Sequence, residues 1–107
     1  MDPVRVLIAD DEALIRSALR IFVDGDPRTT VVGEAMNGGE AVDRSARIAP
    51  DVILMDLQMP MMGGIAATES ITGSQPDVRV LALTTFSSER HVVSALRAGA
   101  TGYLTKD

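Results

Sequence analysis

The sequence predicts an α/β fold, a doubly wound five-stranded parallel sheet with four helices. Three observations carry this expectation. Five short apolar runs, at residues 4–9, 30–35, 51–55, 78–83 and 101–105, alternate with four stretches of helical periodicity, and strict alternation places helices on the faces of a parallel sheet. Four of the runs stop on polar or charged residues: Asp10-Asp11, Asp56, Thr84 and Lys106. Finally, no internal repeat, low-complexity stretch or linker interrupts the chain. Its 107 residues suit one domain with one core, so residues 1–107 are expected to form a single unit.

The first run, residues 4–9, is rich in β-branched residues and ends at Asp10-Asp11-Glu12. Leu14, Ile15, Ala18, Leu19 and Phe22 then recur at helical spacing, predicting a helix over 11–23. Asp24-Gly25-Asp26-Pro27 ends it. After the second strand, Asn37-Gly38-Gly39 reads as a turn. Ala41, Val42, Ala46 and Ala49 form the stripe of a second helix that stops at Pro50. The third strand delivers Asp56 and is followed by a methionine-rich loop. Gly63-Gly64 opens a helix carrying Ile65, Ala66 and Ile71, and the segment 73–76 breaks it. The fourth helix, over 88–98, turns Val92, Val93 and Leu96 inward and is capped by Gly99. Periodicity leaves the strand order open. The order 2-1-3-4-5 is one of the two common doubly wound arrangements and is the one expected here.

Composition excludes several classes. The chain carries 10 Lys+Arg against 15 Asp+Glu, a formal charge of −5. Phosphate backbones need clustered positive charge, so this is a poor nucleic-acid surface by itself. No cysteine and a single histidine argue against disulfides and zinc. No apolar run approaches the ~20 residues of a membrane span, and no signal peptide is evident. The expected location is cytoplasmic. His91 lies beside Arg90 on a polar helix face and is read as exposed. Met55 and Met59 are read as packing, Met61 and Met62 as partner contacts.

In a parallel sheet every strand leaves through the same edge. Residues just past the strand ends become neighbours, and in a 2-1-3-4-5 sheet strands 1 and 3 flank the switch point where ligands bind. Asp10, Asp11, Asp56, Thr84 and Lys106 are therefore expected to converge. Asp10 and Asp11 are also suited to capping the first helix. Three close carboxylates repel one another unless a cation intervenes. Mg²⁺ suits such a set, with oxygen ligands, waters and a phosphate. A lysine and a hydroxyl complete what phosphoryl transfer needs, and a carboxylate is a competent nucleophile. Asp56 is the expected phosphoryl acceptor.

These residues sit in a recognisable series: Ile8-Ala9-Asp10-Asp11-Glu12, then Asp56 with Met59-Pro60 and Gly64, then Leu83-Thr84-Thr85, then Gly102-Tyr103-Leu104-Thr105-Lys106. The series resembles the receiver domain of two-component response regulators, the CheY-like, flavodoxin-like fold. Val32-Gly33-Glu34-Ala35 and Leu96-Arg97-Ala98-Gly99-Ala100 resemble its NarL/FixJ subfamily. The resemblance implies a phosphorylation-dependent switch, a signalling domain rather than an enzyme, with Asp56 fed by a histidine kinase. It implies Mg²⁺ held directly by Asp11, through water by Asp10, and by Asp56 and the backbone carbonyl of Gln58. It assigns Lys106 to the phosphoryl oxygen, Thr84 to a hydroxyl that moves onto it, and Tyr103 to a ring that turns inward behind it.

Two features depart from the family. Asp107 stands where a proline, often cis, usually follows the lysine, so a trans bond or a less rigid loop is expected. The family's fifth helix and C-terminal helix-turn-helix DNA-binding domain are absent from these residues. Right-handed crossovers put the first helix alone on one face, leaving strands 4 and 5 bare there. The expectation is a shortened receiver that forms a homo-oligomer or domain-swapped dimer through that face.

Overall fold

The computed structural model describes residues 2–84 and 89–106. The second position of the Thr84-Thr85 pair, the start of the fourth helix at Ser88 and the bond from Lys106 to Asp107 lie outside them. The described chain runs β1 (Val4–Ala9), α1 (Ala13–Asp24), β2 (Thr29–Ala35), α2 (Gly38–Ile48), β3 (Val52–Asp56), α3 (Gly64–Ser74), β4 (Arg79–Thr84), α4 (Glu89–Arg97) and β5 (Gly102–Thr105). The strands form one parallel sheet in the order β2-β1-β3-β4-β5, as expected.

Strand alternation sorts the core into two layers. Leu7, Ala9, Ile53, Met55 and Val80 point to the face covered by α2 and α3, where Ala41, Ala67 and Ile71 meet them. Ala82 of the same face packs with Ala95 of α4 and with Ala100 and Leu57. The intervening residues, Val6, Ile8, Leu54 and Leu83, point the other way, where Leu19 and Val23 of α1 pack on them. One helix thus stands against three, the distribution that right-handed crossovers impose. The central strands β1 and β3 are buried on both faces, which is why they read as continuous apolar runs.

The helix faces correct the sequence reading in four places. Asn37-Gly38-Gly39 is a helix start and not a free turn. Asn37 is the N-cap, its side chain accepting the Glu40 amide at 2.8 Å, and Glu40 in return accepts the Met36 amide at 2.8 Å. This reciprocal pairing satisfies two amides at once. In α3 the inward residues are Gly64, Ala67, Thr68 and Ile71, and Ala66 is exposed. Burying Thr68 is cheap because its hydroxyl donates to the Gly64 carbonyl at 2.7 Å.

In α4 the inward stripe is Val92 and Ala95, three residues apart, while Val93 and Leu96 form a second, exposed stripe. His91 of that helix is half-buried. Finally, α1 buries no residue completely. Ile15, Leu19 and Val23 are half-buried, whereas Leu14, Ala18 and Phe22 are exposed. Periodicity marked these stripes as apolar, but the helix is covered only on the side that meets the sheet.

The α4–β5 connection is closed by Gly99 at φ 111°, a conformation that L side chains rarely adopt. Ala100 N–H donates to the Ala95 carbonyl at 3.0 Å, and Thr72 of α3 donates to the Ala98 carbonyl at 2.8 Å. These bonds tie α4 to α3 and set where β5, and with it Lys106, begins.

Candidate functional site

Pairing along the sheet lines up the strand ends. Asp56 is the last residue of β3 and sits opposite Leu83. The ladder continues past it, with Leu57 N–H donating to the Leu83 carbonyl at 3.0 Å. Thr84 ends β4 opposite Thr105, and Lys106 N–H donates to the Thr84 carbonyl at 2.9 Å. Asp10 N–H donates to the Ala35 carbonyl at 3.0 Å, fixing the exit of β1 against β2. Each residue is placed by backbone hydrogen bonds, so the cluster follows from the sheet.

The side chains then meet. Lys106 Nζ lies 2.5 Å from Asp10 Oδ2 and 3.3 Å from Asp56 Oδ1. Asp10, Asp56 and Thr84 are buried, Asp11 is exposed, and Lys106 reaches in from a half-buried position. Asp10 Oδ1 accepts the Glu12 amide at 2.9 Å, whereas the buried Oδ2 is met by the Lys106 ammonium. The N-cap of α1 is Glu12, so neither Asp10 nor Asp11 caps that helix. Asp56 Oδ1 accepts the Gln58 amide at 3.3 Å, and the Gln58 side chain is exposed.

The electrostatics are those of crowded acids. The Asp56 carboxyl is pushed from 3.8 up to about 6, mainly by burial and next by the Asp10 charge, against the opposing Gln58 amide and Lys106. Burial pulls the Lys106 amine down, but Asp10 and Asp56 outweigh it and leave the amine above its usual value. One ammonium does not neutralise three carboxylates. Asp10, Asp11 and Asp56 each offer an oxygen within 4.8 Å of the others. An all-oxygen set of three carboxylates, two buried and one exposed, fits a hard divalent ion that keeps several waters.

The family model for the response regulator receiver domain matches residues 6–107. The chain belongs to this family. It is 42% identical over 106 residues to the transcriptional regulatory protein YxjL of Bacillus subtilis (strain 168), covering 99% of this chain and 49% of that protein. The signal receiver domain of the response regulator NarL from Mycobacterium tuberculosis superposes with a TM-score of 0.95 at 33% identity, covering 100% of this chain and 86% of that one. The CheX–CheY–BeF3–Mg²⁺ complex from Borrelia burgdorferi contains a chain that matches with a TM-score of 0.92 at 26% identity, covering 98% of this chain and 79% of that one. The chain spans about half the length of the curated relatives it matches.

Tyr103 of β5 sits in register opposite Ala82 of β4. The tyrosine is 46% exposed and lines a cavity of about 390 Å³ with Glu89, Val92 and Val93. Met61 is 92% exposed with φ 67°, and Met62 is 38% exposed, while Met55 is buried in the core and Met59 packs against it. On the opposite face an apolar groove of about 250 Å³ runs between α1 and the end of the sheet, lined by Ile15, Leu19, Phe22, Leu83 and Leu104. No helix among the described residues is long and apolar enough to cross a membrane.

The sequence reading named Gly64 in the Asp56 motif without its role and did not single out Arg16 at all. Gly64 lies so close under Asp56 that a Cβ there would sit 2.0 Å from the Asp56 carbonyl oxygen. Arg16 donates to the Asp10 carbonyl at 2.8 Å. Its position four residues after Glu12, inside the first helix and near the acidic pair, was the available signal.

Proposed function

We propose that residues 1–107 act as the receiver domain of a transcription-controlling response regulator, with Asp56 as its phosphoryl acceptor. The single observation that supports this best is the buried Asp56 carboxylate sharing one ammonium with Asp10 at the sheet edge. In the transfer, an Asp56 carboxylate oxygen forms the new bond to phosphorus. The bond from phosphorus to the donor, a phosphohistidine nitrogen of a sensor kinase or the acyl oxygen of acetyl phosphate, breaks, and the leaving group takes the electron pair.

Asp10, Asp11, Asp56 and the Gln58 backbone carbonyl are the residues that would hold Mg²⁺; the similar CheX–CheY–BeF3–Mg²⁺ complex contains that ion. Bound there, the ion supplies positive charge to phosphoryl oxygens. Lys106 supplies a second positive charge, and Thr84 a hydroxyl donor that moves onto the phosphoryl group. Tyr103 then turns from its cavity toward the space that Thr84 leaves. Phosphorylation adds about −1.5 to −2 charge, enough to redraw this local balance and carry the change to the β4–α4 surface. The chemistry is confined to the domain's own phosphorylation and dephosphorylation. Output passes to DNA through a C-terminal helix-turn-helix domain of the longer protein, in the cytoplasm.

Incubation with acetyl phosphate and Mg²⁺, read on a phosphate-affinity gel, tests this reading. A retarded band that disappears when Mg²⁺ is chelated is expected. No retarded band in the parent chain would favour a phosphorylation-independent interaction module.

The open apolar groove beside α1 is proposed as a self-association surface of this chain. Phe22 is 79% exposed and lines the groove with half-exposed Leu104, an apolar stretch that water leaves uncompensated. Light scattering is expected to show mass rising with concentration, and Phe22→Glu to lower it. A monomer at every concentration counts against the surface.

A further inference from the structure

We infer that Arg16 is the positioning residue for Asp11, the exposed carboxylate of the acidic cluster; the inference rests on the receiver reading above. Among the described residues the Asp11 side chain makes no hydrogen bond or ion pair. Its direction is therefore set by the peptide units on either side of it. Both are pinned. The carbonyl of the Asp10–Asp11 peptide accepts from Arg16 Nη1 at 2.8 Å. The amide of the Asp11–Glu12 peptide donates to Asp10 Oδ1 at 2.9 Å. Removing either bond frees a rotation that swings the Asp11 carboxylate away from Asp10 and Asp56.

Arg16 is suited to this by its own confinement. Its side chain is 14% exposed, and Nε donates to Glu34 Oε1 at 3.0 Å while Nη1 reaches the Asp10 carbonyl. A planar guanidinium holds both partners at once, which a lysine ammonium on a flexible stem does poorly. Glu34 is fixed in turn by Arg20, whose Nε and Nη2 donate at 2.9 and 2.7 Å, and its carboxyl lies below the usual glutamate range chiefly through that contact. Arg20 does not touch Asp10. Within this network only Arg16 links the β2–α1 ion pairs to the acidic loop. It also contributes positive charge outside the cluster, so it orders the acids without competing for their oxygens. Partners that orient a metal's ligands typically change affinity by about 10–100-fold.

The test is direct Mg²⁺ titration of the full chain, followed by amide NMR with Glu12 hydrogen exchange as a second readout. Arg16→Ala is expected to weaken Mg²⁺ binding about tenfold and to speed Glu12 exchange. Phosphorylation by acetyl phosphate at saturating Mg²⁺ is expected to stay near the parent rate. Arg16→Lys, which keeps the charge beside Glu34, carries the same expectation should Arg16→Ala not fold. Arg20→Ala, which loses ion pairs to Glu34 and Asp24 but no contact with the acidic loop, is expected to leave Mg²⁺ affinity unchanged. Equal affinity in the parent and the Arg16 variants overturns the role, as does an equal loss in Arg20→Ala, which would mark general loosening. A parent chain that takes up no Mg²⁺ overturns the receiver reading and the inference together, and is thereby told apart from a failure of Arg16 alone.

Discussion

Asp56→Asn is expected to abolish the phosphorylated band and, in metal-free buffer near pH 7, to make the chain more stable by roughly 1–3 kcal/mol. The loss follows from removing the proposed nucleophile. The gain follows from electrostatics. A carboxyl held at about 6 rather than 3.8 takes up a proton more readily folded than unfolded. The folded state therefore binds the extra proton between about pH 4 and 6, and stability falls as pH rises through that window. Above it the burden is constant; below about pH 4 it vanishes. An amide never carries this charge, keeps an oxygen for the Gln58 amide, and leaves Lys106 its contact with Asp10.

The difference between parent and variant in urea denaturation should therefore be small near pH 4 and full near pH 7. Taking the difference removes the opposite contribution of Glu34 and Asp26, whose depressed values make stability fall as pH drops. Saturating Mg²⁺ should close or reverse the gap, because the ion binds the parent's folded state. A variant no more stable than the parent without metal would mean that Asp56 is not strained by its neighbours.

The same contrast between charge and position explains what the chain discloses before it folds. Residues that stop strands are legible, because a parallel sheet sends all its strand ends to one edge. Asp10, Asp56 and Lys106 are brought to one edge by where their strands stop, whereas the strand order is expected only as a common arrangement and Thr84 is preferred to Thr85 on the family resemblance alone. Coverage of a helix is not legible in this way. Leu14 and Phe22 have the spacing of a buried stripe, as do Val93 and Leu96, yet all four are exposed, since periodicity reports polarity and not whether another element lies opposite. Asn37-Gly38-Gly39 carried two signals at once; Glu40, three residues after Asn37, was the one that marked a cap. Arg16 acts through a backbone carbonyl, which no residue identity announces.

Gly64→Ala is expected to destabilise the chain by about 3 kcal/mol, although alanine is intrinsically the better helix residue. Helix propensity alone would predict a gain of about 1 kcal/mol. Gly64 is the first residue of α3, and its buried backbone runs against the turn that follows β3. An added Cβ would lie 2.0 Å from the Asp56 carbonyl oxygen and 2.8 Å from Leu57 Cα, and neither is a side-chain end that can rotate away. Relief requires moving α3 or the Asp56–Leu57 backbone. The first breaks the Gly64 amide's bond to the Leu57 carbonyl at 3.2 Å; the second displaces Asp56, the proposed phosphoryl acceptor. Phosphorylation of whatever fraction remains folded should therefore slow as well. Gly73→Ala is the matched control. It lies in the last turn of the same helix, exposed, with nothing within 4 Å of an added Cβ, and should gain several tenths of a kcal/mol up to about 1. Urea midpoints moving in opposite directions for two glycine-to-alanine changes on one helix would separate close approach from propensity. A shift in the same direction for both would mean that Asp56 is not braced by the start of α3.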